Sequence, residues 1–312
     1  MNAEVMGGKA IKLATGVVNC IALTIVLLLI AFAGYALWDS NQIRQAADKS
    51  NYAVYKPTVE NQGKSFIELQ SINAEVFAWL SVYGTNIDYP VTQGSTNMKY
   101  VNTNAEGLYS LSGSIFLDCH NNNDFCDFNS ILYGHHMAKR VMFGEIGNFS
   151  DRNMFDSHRY GNLYFDRKDH GIEFFAFVHA DAYDSTVFTP DVRGEQRQEY
   201  LDGLLAKAIY TRDIGVMAED RIILLSTCSS SSTNGRDILV GRIADEVHID
   251  PFINTKISDG IGQTDPDGQY RYVKEIPVLT LALSLILAVL IIVYILVACN
   301  RRKQYKKAQK RR

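Results

Sequence analysis

The chain has 312 residues, of which 47% are hydrophobic and 21% are charged, and its formal net charge at pH 7 is −3. That average conceals two uncharged apolar runs, at residues 13 to 38 and 277 to 300, and each exceeds the roughly 20 residues that a membrane-spanning helix needs. Residues 39 to 276 carry 33 acidic and 21 basic side chains, a formal charge of −12. This acidity argues against non-specific binding to nucleic acid.

Charges at the ends of the two apolar runs predict their orientation in a membrane. Lys9 and Lys12 precede the first run, and eight basic residues follow the second between positions 301 and 312. Because short basic segments stay on the cytoplasmic side, we expect both termini in the cytoplasm, the tail against anionic lipid, and residues 39 to 276 outside. Residues 31 to 33 also fit a signal-peptidase site, so a cleaved signal peptide is the alternative for the first run.

Hydropathy and charge predict seven segments in chain order. They are a cytoplasmic N-terminus (1-12), a transmembrane signal-anchor (13-38), a stalk or N-terminal helical extension (39-63), a catalytic domain (64-250), a linker (251-276), a second transmembrane helix (277-298) and a basic cytoplasmic tail (299-312).

Within the exported region the apolar periodicity changes from helical to β-type. Apolar residues recur at helical spacing from Phe66 to Leu80 and predict an amphipathic helix over residues 64 to 82. A second helix is predicted at residues 195 to 210, where Leu201 and Leu204 share a face. Several short β-prone runs separated by turn residues predict a β-barrel or sandwich. They are residues 86–92, 113–118, 130–133, 163–165, 172–178, 221–227 and 238–243.

The segment from Arg221 to Cys228 is an apolar β-type run that ends at a cysteine, with a polar loop and Arg236 beyond it. A strand end holds a thiol rigidly, the loop gives access, and a guanidinium can stabilise negative charge, which is the arrangement of a nucleophile. The alternative is an unreactive buried cysteine.

Cys119 and Cys126 are close enough in sequence to form a disulfide, which would leave Cys228 as the free thiol; three reduced cysteines are the other possibility.

A cysteine nucleophile requires an acid/base partner, which is most often an imidazole. His135 and His136 follow a predicted strand directly after Gly134, which permits close backbone approach. Adjacent side chains of an extended chain point to opposite faces, so at most one of the two rings can face Cys228.

The Asp and Asn residues between positions 118 and 127 lack the spacing of a calcium-binding EF-hand loop and are interpreted as a solvated loop. We expect neither a metal nor an organic cofactor.

A series of short segments through the exported region has the order and spacing of a known family. They are Trp79, residues 84–94, Asn97, Tyr100, residues 113–118, Leu132-Tyr-Gly-His135 with Met137, residues 142–144, Leu225-Ser-Thr-Cys228, and Arg236 ahead of Val240-Gly241. Together they make the chain resemble the sortases, specifically class B. The resemblance implies a mainly β fold, an eight-stranded sortase β-barrel with an N-terminal helix and one inserted helix, flanked here by two transmembrane helices.

The resemblance also implies roles for individual residues. Cys228 would be the nucleophile, His135 the general acid/base, and Arg236 the group that stabilises the oxyanion or positions the substrate. The substrate groove would be lined by Thr227, Ser226 and Tyr133. Strand packing is the alternative for Ser226 and Tyr133.

By the same resemblance the chain would be a thiol transpeptidase of the Gram-positive cell membrane. It would cleave a C-terminal LPXTG-like sorting signal of surface or pilin proteins through a thioacyl-enzyme, and pass the acyl group to an amine of a peptidoglycan precursor or a pilin lysine. A C-terminal anchor is more usual among pilin-polymerising sortases. Two alternatives stand beside this function: a hydrolytic cysteine protease of the same geometry, and a non-catalytic membrane-tethered assembly module.

Overall fold

The computed structural model describes residues 3 to 58, 63 to 229 and 233 to 253, with side chains from residue 14 onward. Contacts divide these residues into two units, one extending to Gln42 and the other beginning at Ile43. The predicted second transmembrane helix at 277-298, the basic tail at 299-312 and most of the linker lie outside the described residues.

The N-terminal helix α1 extends over Ala3–Ala46 and includes the whole first apolar run. Among the described residues, one helical stretch, Ala14–Tyr55, contains a segment long and apolar enough to cross a membrane. After α1 the chain forms a short 3-10 helix, Lys49–Tyr55, which begins where the Asp48 carboxylate accepts a hydrogen bond from Ser50 N. The predicted anchor is therefore helical, and the start of the predicted stalk continues the same helix.

In the part of the chain that the structure describes, the second unit contains three further α-helices and nine strands, besides short 3-10 helices. They are α2 (Lys64–Ile72), β1 (Val76–Val82), β2 (Asp88–Thr92), β3 (Ile115–Leu117), β4 (Asn129–Tyr133), α3 (Arg152–Ser157), β5 (Tyr160–Phe165), β6 (Lys168–Asp181), α4 (Gln196–Ala206), β7 (Ala208–Thr211), β8 (Arg221–Cys228) and β9 (Gly235–Ala244).

Eight of these strands close into a barrel. They are hydrogen-bonded in the order β5-β1-β2-β3-β4-β8-β9-β6, and pairing of β5 with β6 completes the ring. The first half of β6 pairs with β5 and its second half with β7, which lies outside the ring. Closure leaves the barrel without free sheet edges. The eight-stranded β-barrel with an N-terminal helix is confirmed, and α4 is the inserted helix.

Buried apolar residues form two clusters on opposite sides of the sheet. In β8, Ile223 and Leu225 belong to the cluster that fills the barrel, whereas Ile222 and Leu224 belong to the cluster beneath α4, together with Leu204. Both faces of β8 are therefore buried, which explains why its sequence is a continuous apolar run instead of an alternating one.

The helix predicted over residues 64 to 82 is wrong beyond Ile72. There α2 ends, Asn73 has an extended backbone (φ −138°, ψ 103°), and residues 76 to 82 form β1 between β2 and β5. Both faces of β1 are almost completely buried, so its apolar residues do not alternate and happened to match helical spacing. The helix predicted at 195 to 210 likewise ends at Ala206, and β7 follows it. Residues 76 to 82 and 208 to 211 are strands and not helix because neighbouring strands pair with them, and strand preference depends on such pairing.

Candidate active site

The parallel pairing of β4 with β8 brings the predicted nucleophile and acid/base residue to one end of the barrel. Tyr133 and Ser226 are paired across these strands, and His135 and Cys228 each lie two residues further along. Gly134 N donates to Ser226 O over 3.2 Å, so the pairing continues past the end of β4. Because residues two apart in an extended chain share a face, the register directs all four side chains to the same side of the sheet.

Arg236 is brought to this face by the antiparallel pairing of β8 with β9. It is the direct partner of Cys228, and side chains paired in this way lie on the same face with their Cβ atoms roughly 4.5–5.5 Å apart. Ser229 N donates to Gly235 O over 2.8 Å, which extends the ladder beyond the cysteine. The Cys228 side chain is exposed. An accessible thiol therefore lies beside a guanidinium and level with an imidazole.

The His135 ring is oriented by a backbone carbonyl. Its Nε2 lies 2.8 Å from Val101 O, at the end of the 3-10 turn Lys99–Val101. Because a carbonyl oxygen only accepts, the neutral ring carries its proton on Nε2 and keeps a lone pair on Nδ1. Gly113 packs against this turn with φ +59°, and a Cβ on it would lie 2.6 Å from Val101 O. The turn and its covering glycine thus determine which ring nitrogen is available as a base.

The chain folds back on itself after His135. Phe143 N donates to His135 O over 3.1 Å, and His136 forms an isolated bridge with Met142. His136 is exposed and lines a cavity beyond the strand ends. The two adjacent rings are therefore directed to different surroundings, as the alternation of an extended chain requires.

Thr227 lies on the face opposite Cys228, where it is directly paired with Asp237. Its Oγ1 donates to Gly134 O over 2.8 Å, and only 2% of the residue is exposed. The structure thus connects Thr227 to the backbone beside His135 and does not bring its side chain to the face that carries the thiol.

Tyr133 and Ser226 lie on the face of the sheet that carries the thiol, and Ser226 is only 1% exposed. Tyr133 stacks on Phe188 with ring centroids 6.4 Å apart and also contacts Phe116. Ser226 Oγ is buried, and no hydrogen-bond partner for it occurs among the described residues. The sequence did not single out Phe116 or Phe188, since a lone aromatic in a short strand or a loop has no distinguishing spacing.

Asp118 holds the Tyr133 hydroxyl in place. Its Oδ2 accepts hydrogen bonds from Tyr133 OH and from Asn97 Nδ2, over 3.0 and 2.8 Å. Burial alone would raise the pKa of Asp118, but these bonds and those from His120 hold it below its ordinary value. Burial, and then the Asp118 charge, raise the pKa of Tyr133. Tyr133 is thus kept as a neutral donor to an ionised carboxylate.

The loop from 118 to 127, which we expected to be solvated, exposes His120 and residues 122–124 but buries three polar side chains. Asn121 and Asp127 are buried, and Asn121 Nδ2 donates to Asp127 Oδ2 over 2.8 Å. Cys119 and Cys126 are not bonded to each other. Asp118, Cys119 and His120 hold ligand atoms within 4.8 Å of one another, but the Asp118 oxygens are already occupied by the hydrogen bonds described above. This donor set is unsuited to a metal.

Comparison with known proteins identifies the family. A scan against models of protein families finds no match. Sortase B of Staphylococcus aureus is 31% identical over 188 residues, which cover 59% of this chain and 76% of that protein. The chain belongs to the sortase B family. It is therefore a cysteine transpeptidase.

Solved structures agree with this assignment. The crystal structure of sortase B from the type II pilus of Streptococcus pneumoniae is 47% identical, with a TM-score of 0.51, and the match covers 57% of this chain and 98% of that one. A Streptococcus pyogenes class B sortase involved in pilus biogenesis is 42% identical, with a TM-score of 0.54, over 58% of this chain and 99% of that one.

Proposed function

We propose that this sortase uses Cys228, His135 and Arg236 to cleave a C-terminal sorting signal and to transfer the acyl group to an amine. The observation that carries the proposal is the strand register. It pairs Cys228 directly with Arg236 and places His135 level with Cys228 on the neighbouring strand. This arrangement supplies a nucleophile, a proton carrier and a cation on one exposed face.

His135 moves the proton in both half-reactions. Nδ1 takes the thiol proton as the Cys228 sulfur attacks the scissile carbonyl carbon, and gives it to the departing amine as the carbon–nitrogen bond breaks. A thioester to Cys228 remains. The acceptor amine then attacks this thioester and loses a proton to the ring, and the thiol is restored. Two acyl transfers of moderate barrier thus replace one difficult step.

Arg236 stabilises the oxygen that becomes negative in each tetrahedral intermediate. Its guanidinium donates to Gly235 O over 3.0 Å through Nη1, which leaves further N–H groups for the substrate. Such a donor acts most strongly on charge that develops in the transition state. Arg236→Lys should severely reduce acylation, because an ammonium cannot reproduce the planar donor fork.

Variants of the two adjacent histidines test the assignment of the acid/base. Cys228→Ala should form no thioacyl adduct with a sorting-signal peptide, as read by intact-protein mass spectrometry. His135→Asn should lose turnover by roughly the 10²–10⁴-fold that general acid–base catalysis contributes. His136→Asn is the matched control and should retain donor cleavage. Turnover by Cys228→Ala, or greater loss in His136→Asn than in His135→Asn, would contradict the assignment.

Product analysis separates transpeptidation from its two alternatives. With a sorting-signal peptide and abundant triglycine, a transpeptidase yields the ligated peptide, whereas a hydrolytic protease yields free acid with or without the amine. A non-catalytic module would leave Cys228 unmodified by a thiol-directed analogue of the sorting signal.

We further infer that the acceptor is a pilin lysine. Two similar structures carry this inference, since the S. pneumoniae protein is described as a type II pilus sortase and the S. pyogenes protein as involved in pilus biogenesis. The peptidoglycan precursor amine is the second candidate. Incubation with a pilin subunit should give covalent oligomers that resist boiling in detergent, and lysine substitution in the pilin should abolish them.

For the membrane arrangement we propose two spans, with the catalytic domain outside and both termini in the cytoplasm. The apolar α1 and the basic residues that flank both apolar runs support this topology. Protease treatment of intact spheroplasts should remove the catalytic domain and spare an epitope at either end. Digestion of a C-terminal epitope would contradict the second span.

A further inference from the structure

Tyr89 is a buried tyrosine of β2 that takes no part in the acyl-transfer steps above. Only 1% of it is exposed, and it belongs to the apolar cluster that fills the barrel. Its hydroxyl bridges two backbone groups: it donates to Ala47 O over 3.0 Å and accepts from Met142 N over 3.0 Å. Burial raises the pKa of Tyr89 above its ordinary value, so the hydroxyl stays neutral and can donate and accept at once.

The acceptor of this hydroxyl proton lies at the end of the N-terminal helix. Ala47 directly follows α1, is 1% exposed, and its N–H donates to Ile43 O over 3.2 Å. A cavity of only about 10 Å³ is enclosed by Ala47, Tyr52, Tyr89 and Met142 among others. The hydroxyl is therefore fixed in direction, with its proton on Ala47 O and a lone pair toward Met142 N.

The group that donates to this hydroxyl belongs to a strained stretch of backbone. Lys139, Arg140 and Met142 have φ of 59°, 64° and 52°. Residues other than glycine rarely adopt this left-handed conformation, and it persists only where the surroundings hold it. Met142 is 2% exposed and also forms the isolated bridge with His136. Tyr89 thus supplies the side-chain hydrogen bond that fixes the last strained residue of the stretch.

The residue after Met142 holds the backbone around the acid/base residue. Phe143 N donates to His135 O over 3.1 Å. The Phe143 ring is buried against Gly134, where a Cβ would lie 2.7 Å from the ring. Two hydrogen bonds and one residue of backbone therefore connect the Tyr89 hydroxyl to His135, and each link is buried or formed by the main chain.

We propose that Tyr89 is a positioning residue for His135, whose hydroxyl joins the end of α1 to the segment that holds the backbone of the acid/base. The inference rests on the role of His135 proposed above. Tyr89 lies inside the barrel and Cys228 on the outer face of the sheet, so the hydroxyl acts through His135 and not on the substrate. Its removal should slow proton transfer and leave binding of the donor peptide unchanged.

The test is Tyr89→Phe in the full chain, which removes the hydroxyl and keeps the ring. The rate constant for acylation by a sorting-signal peptide should fall by roughly tenfold to a hundredfold, the effect of a displacement of up to about 1 Å at a catalytic group. The donor concentration that gives half-maximal rate should stay at the wild-type value. Acylation is followed by intact-protein mass spectrometry, at a temperature where circular dichroism shows every variant folded.

Tyr83→Phe is the matched control. The Tyr83 hydroxyl also donates to a backbone carbonyl, His248 O, over 3.0 Å, but contacts no part of the segment from 134 to 143. This variant loses one hydroxyl hydrogen bond by the same chemical change. It should acylate at the wild-type rate, even if its melting temperature falls.

A double variant tests whether Tyr89 acts through His135. Once His135→Asn has removed the imidazole, adding Tyr89→Phe should cause no further loss, because the group that the hydroxyl positions is gone. Effects of two independent residues would multiply instead. The slow residual acylation of both His135→Asn proteins is measured as a single turnover with excess donor peptide.

The same set of proteins separates the proposed function from the positioning role. If the wild type does not acylate, or His135→Asn acylates normally, the proposed function fails. If both behave as expected, the positioning role is refuted by any of three results: Tyr89→Phe acylates like the wild type or changes only the half-saturating donor concentration, Tyr83→Phe loses as much, or the losses of Tyr89→Phe and His135→Asn multiply. A loss confined to Tyr89→Phe that disappears in the His135→Asn protein supports it.

Discussion

Replacing Thr227 by valine removes one buried hydroxyl and leaves the shape of the side chain almost unchanged. In the wild type Oγ1 donates to Gly134 O over 2.8 Å, so the variant loses this bond and leaves the carbonyl without that donor. An orphaned buried acceptor costs about 1–3 kcal/mol. For a domain of this size each kcal/mol lowers the melting temperature by roughly 2–4 °C.

The activity should fall together with the stability, because Gly134 directly precedes His135. A displacement of about 1 Å at a catalytic group can cost roughly 10²-fold in rate. We therefore expect Thr227→Val to reduce the rate constant for acylation, with little change in the concentration of donor peptide that gives half-maximal rate. Thr227→Ser keeps the hydroxyl and is the control, which should retain most of both properties.

Thermal unfolding and acylation kinetics of the two variants check this reasoning. If Thr227→Val unfolds like the wild type and only its half-saturating donor concentration rises, Thr227 contacts substrate directly. That result would refute the positioning role and support the contact that the family resemblance implies.

Two further perturbations follow from the same structure. Gly113→Ala should displace the carbonyl that orients His135, because the new Cβ would lie 2.5–2.6 Å from backbone oxygens, and should lower the acylation rate by roughly tenfold or more. Gly107→Ala is the control. Gly107 also has a positive φ, but its closest contact would be at 3.9 Å, so this variant should leave the rate unchanged. Equal rates in both variants would contradict this. Burial opposes ionisation of Asp88, yet hydrogen bonds and the Lys56 ammonium hold its pKa below 3.8. The ionised Asp88 therefore contributes its full stability above its unfolded pKa of 3.8, and this contribution is lost as the pH falls through the lower folded pKa. The free energy of unfolding should consequently decline less between about pH 5 and pH 2 in Asp88→Asn than in the wild type. Parallel declines, measured by urea denaturation at each pH, would exclude Asp88 as a source of acid sensitivity.

Local patterns predicted much of the barrel but not all of its strands. Seven short β-prone runs correspond to observed strands, since turn residues interrupt them and β-branched and aromatic residues favour pairing. The strands β1 and β7 were missed, and both adjoin a correctly predicted helix. Residues 76 to 82 are buried on both faces, so the alternation that would have marked a strand is absent.

The candidate site could likewise be predicted only in part from the sequence. Cys228, His135 and Arg236 were recognisable from their residue types, their strand-end positions and the family resemblance. That Val101 O orients the imidazole was not recognisable, because 34 residues separate the two partners and only the packing of the turn beneath Gly113 brings them together.

The amino-acid sequence by itself determined the first apolar run, the β-rich domain and the candidate site residues, because composition, periodicity and motif order are properties of the chain. Only the tertiary structure decided which face each side chain occupies. A shift of one residue in register reverses every side chain of a strand, and the register depends on pairing between distant segments. For this reason Thr227, next to Cys228 in sequence, lies on the opposite face, and Arg236, eight residues away, is paired directly with Cys228.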